Sequence, residues 1–73
     1  MATFRMGPVE IQVTEDMTAG DIQTLQQAFD ELKISYPDVD DRGLAQGVFF
    51  NWFPGCSKDD LIAAASVMLG HHS

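Results

Sequence analysis

Thr3–Val13 reads TFRMGPVEIQV, and the way this stretch folds decides whether the chain is purely helical. Phe4 and Met6 are apolar with Arg5 between them, and Val9, Ile11 and Val13 are apolar with Glu10 and Gln12 between. Side chains alternate faces along an extended backbone, so a period of two marks a half-buried strand. Gly7-Pro8 separates the two runs. Glycine accepts the positive φ that the first central position of a tight turn demands, and proline holds φ near the value the second requires. With Met6 opposite Val9 and Phe4 opposite Ile11, all the large apolar residues share one face. The pattern predicts a hairpin with strands at about 3–6 and 9–13; a single kinked strand is the alternative. A lone hairpin is marginal in water, so other elements must cover it.

Beyond the hairpin the period becomes helical. Thr18 can cap a helix with Asp21 three residues on, and Met17 is placed to pack on Ile22 as a hydrophobic staple. Ile22, Leu25, Ala28, Phe29 and Leu32 fall within an arc of about 120°. Gln23, Gln26, Gln27, Asp30 and Glu31 take the other side. A one-faced helix over about 19–33 follows, with Pro37 marking the break after it.

A second helix, at about 39–53, takes its cap from Asp38 or Asp40 and ends before Pro54. Its apolar residues reach further round. With Leu44 at zero, Val48, Trp52 and Ala45 lie within about 100°, Phe49 and Phe53 near 140–180°, and Phe50 near 240°. Gly43 and Gly47 occupy the sector beyond. Each glycine costs about 1 kcal/mol against alanine, and the pair would let another helix approach closely.

The third helix, at about 58–69, opens with Ser57 as cap, Asp60 three residues on, and Cys56 placed to staple onto Leu61. Leu61, Ile62, Ala65, Met68 and Leu69 form one stripe, while Ala63, Ala64 and Val67 cover the rear. Such a helix reads as buried on all sides. Gly70 stops it, and residues 70–73 form a tail. The expected fold is α+β: an N-terminal hairpin followed by three short helices, in one domain over residues 1–73.

A chain of 73 residues supports one core and buries only about 60% of its unfolded surface. Domains of this size lean on disulfides, metals or oligomerisation. The single cysteine, Cys56, rules out an internal disulfide and points to a reducing compartment. Eleven carboxylates against four basic residues give a net charge of -7. Phosphate binding needs clustered cations, and Arg5, Lys33, Arg42 and Lys58 are scattered, so neither direct nucleic-acid nor membrane binding is expected. No apolar run approaches the roughly 18 residues of a membrane helix. The N-terminus lacks the basic-then-apolar order of a signal peptide, and the expected location is cytoplasmic.

None of the catalytic or metal-binding patterns in the sequence is expected to operate. Asp38, Asp40 and Gly43 fit positions one, three and six of a calcium loop. Arg42 then falls at position five, where a ligand belongs, and Phe49 at position twelve, where a bidentate Glu belongs. Helix capping explains those acids better. Cys56 sits before a helix N-terminus, which favours a thiolate. The bases nearest to it in character, His71 and His72, lie about 20 Å away at the far end of that helix. Adjacent histidines share no helix face, so they make a poor metal pair. No cofactor-binding motif is present, and the chain is not expected to be an enzyme.

What remains is surplus apolar surface. Leaving two of Phe49, Phe50, Trp52 and Phe53 uncovered would expose several hundred Å², the mark of an interaction site. The expectation is a non-catalytic protein-protein interaction module that self-associates as a two-fold homodimer or binds, and inhibits, a protein partner. The interface residues expected are Phe49, Phe50, Phe53, Gly47, Val67 and Ala63. The alternative is an acidic nucleic-acid mimic that occupies a basic groove, although the acids are spread along the chain and gathered at helix starts.

Overall fold

Gly7 turns the chain at φ 60°, and the register that follows pairs Met6 with Val9 and Phe4 with Ile11. The structure, a computed structural model that describes residues 2–70, therefore begins with an antiparallel hairpin of β1 (Thr3–Met6) and β2 (Val9–Gln12). The pairing continues one step further, where the Val13 amide donates to the Ala2 carbonyl at 3.0 Å. Three helices follow: α1 (Ala19–Ser35), α2 (Asp41–Asn51) and α3 (Lys58–Gly70). The fold is α+β, with a radius of gyration of 11.3 Å, close to the roughly 11 Å of a compact chain this long.

Each helix start is built locally. Thr18 Oγ1 accepts from the Asp21 amide at 3.1 Å, and Asp21 Oδ2 accepts from the Thr18 amide at 3.2 Å, completing a capping box. Asp40 Oδ1 accepts from Gly43 at 2.8 Å, and Ser57 Oγ accepts from Asp60 at 3.1 Å. The Asp21 carboxylate also works at long range. Its Oδ1 accepts from the Gly55 amide at 3.4 Å, tying the start of α1 to the loop before α3. Asp21 is the buried charged residue among the described positions, and these backbone donors offset the cost of desolvating it.

The centre of the molecule is α1, which packs against β1, α2 and α3. Its largest fully enclosed side chains are Met6, Leu25, Leu32, Leu44, Val48 and Leu61. The hairpin is seated on α1 at two points. Gly7 lies so close to the Phe29 ring that a Cβ there would be 2.6 Å from Cε1. Gln26 Nε2 donates to the Arg5 carbonyl at 3.1 Å on the outer edge of β1. At the other end, the Tyr36 hydroxyl donates to the Ser66 carbonyl at 3.4 Å and joins α1 to α3.

The structure corrects several expected boundaries. α1 runs to Ser35, so Ile34 is helical and, at 81% exposure, projects from the polar side. α2 starts at Asp41 and ends at Asn51, shorter at both ends than the expected 39–53. Trp52 leaves the helix with φ -77° and ψ 144°, one residue ahead of Phe53, where the following Pro54 disfavours helical backbone. α3 is not enclosed. Leu61, Ala65 and Leu69 face the core, while Ala63, Ala64 and Val67 are exposed, because α1 and α2 cover one side only. Among the described residues no helix is long and apolar enough to cross a membrane.

Candidate functional site

α2 has two unlike sides. Leu44, Ala45 and Val48 are fully buried against the core. On the other side Phe50 is 77% exposed, and Phe53, just past the helix, is 57% exposed. Phe49 and Trp52 lie between these extremes and stack on each other with centroids 6.1 Å apart and planes inclined at 29°. The Trp52 Nε1 is buried without a hydrogen-bond partner among the described residues. Asn51 Nδ2 donates to the Gly47 carbonyl at 2.7 Å and to Met68 Sδ at 3.3 Å, fixing the last turn of α2 against α3.

Beside Phe50 opens a groove of about 880 Å³. One wall is β2, through Val9, Glu10 and Ile11; the other is the end of α3, through Met68 and Leu69. Arg42, Gly43, Gln46, Gly47, Phe49 and Phe50 line it from α2, with Val39 and Ala45. Val9 and Ile11 are only half buried, whereas their cross-strand partners Met6 and Phe4 are buried. The inner face of the hairpin therefore covers α1 with β1 and overhangs the groove with β2.

Charge is sparse along this groove. Lys33 pairs with Asp41 at 3.0 Å, Lys58 with Glu31 at 2.9 Å and Arg5 with Glu10 at 3.9 Å. Arg42 makes no ion pair among the described residues. Lys58 links α3 to α1, and its hydrogen bond to Glu31, reinforced by the charge of that carboxylate, raises its pKa above the usual 10.5.

Of the six residues expected at an interface, Phe49, Phe50 and Gly47 come together in the groove. Gly47 is buried, and a Cβ on it would meet Leu69 Cδ2 at 3.6 Å, so the helix it admits is α3 of the same chain. Phe53 is exposed beyond the end of α2. Val67, 64% exposed, and Ala63 lie on the outward side of α3 and line no part of the groove. Sequence reasoning missed Val9, Ile11, Arg42, Gln46 and Met68 as lining residues. The period-two pattern placed Val9 and Ile11 on the inner face, but nothing in it said that β2 overhangs.

The candidate chemical groups take structural positions. Asp40 holds its cap, Asp41 holds Lys33, and Cys56 is buried. His71 and His72 lie outside the described residues. Among the described residues no three of His, Cys, Asp and Glu gather where they could hold a metal ion. Compared with known families, with curated proteins and with solved structures, the chain matches none.

Proposed function

We propose that this chain is a non-catalytic protein-binding module that docks through the outer side of α2 and the groove beside it, with self-association as its favoured form. The observation that carries the reading is Phe50, 77% exposed at the rim of an apolar groove. A phenylalanine ring buries roughly 150–250 Å² when covered, at about 25 cal/mol per Å². Covering it and the groove together supplies a driving force that a solvated surface lacks. Where a partner needs the covered surface for its own work, docking inhibits it.

The nucleic-acid mimic has weaker support, because many of its acids are already engaged. Asp21 and Asp40 accept from backbone amides, and Glu10, Glu31 and Asp41 each face a cation. A mimic needs its charge turned outward in an array.

A photo-crosslinking amino acid placed at Phe50, with a control at the exposed Gln27 on α1, tests the proposal in extract of the native cells. Protein adducts from position 50 and none from 27 are the expected result. Equal labelling from both positions overturns it.

A further inference from the structure

We infer that the occupant of the groove is a second copy of this chain, with α2 packed antiparallel on its counterpart about a two-fold axis beside Gln46. This deepens the protein-docking reading and rests on it. Two observations select a second copy over other occupants.

The first is complementarity within one element. At about 100° per residue, Phe50 and Gly43 lie about 40° and 60° to one side of Gln46, and Arg42 and Phe49 lie equally far to the other. Phe50 follows Gln46 by four residues and Gly43 precedes it by three. A two-fold axis there sets each Phe50 over the partner's Gly43, which adds no side chain of its own to that face and whose amide donates to the capping Asp40 Oδ1 at 2.8 Å. It sets each Arg42 beside the partner's Phe49, a cation on an aromatic face. Gln46 meets Gln46, and two amides can donate to each other reciprocally. Both members of each pair are present on every copy, as an isologous contact requires.

The second is charge. The chain carries -7 overall, yet the groove lining holds one cation, Arg42, and one carboxylate, Glu10. Glu10 already faces Arg5 at 3.9 Å. Two copies can meet on this nearly neutral face while their acids stay apart. A basic partner, the one that such a chain attracts most strongly, would find little to bind here.

Sedimentation equilibrium on the full chain, together with oxidation of Gln46→Cys, tests the arrangement. The wild-type chain is expected to follow a monomer–dimer equilibrium. Gln46→Cys is expected to form a disulfide-linked dimer on mild oxidation while Gln27→Cys does not; Cys56 is buried and keeps the readout to the introduced thiol. Phe50→Asp alters an exposed side chain and should weaken association by at least about tenfold with an unchanged circular dichroism spectrum. If that variant misfolds, Gln46→Glu, which opposes two carboxylates on the axis, replaces it with the same expectation.

A chain that stays monomeric into the millimolar range overturns the second copy; position-50 adducts in cell extract would then leave the docking reading standing. A dimer that neither crosslinks through residue 46 nor responds to Phe50→Asp overturns this arrangement. If position 50 also labels no protein, both readings fall.

Discussion

Replacing Gly47 by alanine should stabilise the protein, although the residue is buried where two helices meet. Two contributions have the same sign. A glycine inside a helix costs about 0.8–1 kcal/mol against alanine. The added methyl also has room: a Cβ at Gly47 would lie 3.6 Å from Leu69 Cδ2 and 3.9 Å from its Cγ, ordinary contact distances. The positive-φ glycines are Gly7 and Gly55, so the backbone at Gly47 suits an L side chain. The expected gain is about 1 kcal/mol. With about 2.1 cal/mol/K of unfolding entropy per residue, that raises the Tm of a chain this size by about 6 °C. Thermal unfolding at low micromolar concentration, followed by far-ultraviolet circular dichroism and by the fluorescence of Trp52, measures it. Gly7→Ala is the contrasting variant. Its Cβ would stand 2.6 Å from the Phe29 ring at a φ of 60°, so it should lose about 2 kcal/mol or more. A fall in Tm for Gly47→Ala would refute the α2–α3 spacing from which the gain is worked.

Leu61→Ala should cost about 2–5 kcal/mol. Total stability is about 4–11 kcal/mol at 0.05–0.15 per residue, so urea titration should show a midpoint well below that of wild type with an unchanged slope. Asp21→Ala removes the acceptor of both the Thr18 and Gly55 amides and should cost about 2 kcal/mol, whereas Asp60→Ala, on an exposed residue, should stay within about 0.5 kcal/mol; chemical denaturation of the pair checks the difference. The Lys58–Glu31 link has a sign fixed by its raised pKa. Its contribution is complete below the usual lysine pKa and is lost as pH rises through the folded value, so wild type should lose more stability above pH 10.5 than Lys58→Met does. Parallel alkaline unfolding curves would contradict that pairing.

The hairpin and the helix starts were legible in the sequence because each is decided within a few residues. Gly7-Pro8 sets the turn, period two sets the register, and Thr18, Asp40 and Ser57 cap helices whose first amides lie three residues away. The features that sequence missed all depend on a neighbour distant in the chain. Asp21 reads as a capping residue, but its reach to Gly55 spans 34 positions. Gly47 reads as a place for some helix to approach, and only the fold identifies that helix as α3. Periodicity reports how many sides of a helix are apolar; it is silent on how many sides have something packed against them. That is why α3, apolar all round, was expected to be enclosed and instead lies open along Ala63, Ala64 and Val67.

The exposed apolar surface on α3 and that on α2 therefore differ in meaning. Alanine is the best helix former, and its propensity alone justifies Ala63 and Ala64 on a solvated face. An alanine left in water forgoes the burial of one methyl, about 0.8 kcal/mol. Val67 forgoes more, and among the described residues it is the one large apolar side chain exposed on α3. Phe50 has no comparable excuse. Phenylalanine forms helices less well than alanine, its ring is the larger loss when left in water, and a polar residue there would extend the neighbouring Gln46 without disturbing the core. A residue that aids neither the helix nor the core of its own chain, and borders a groove of matching character, is best explained by what it covers in an assembly. For that reason the docking argument rests on α2, and the outward face of α3 carries none of it.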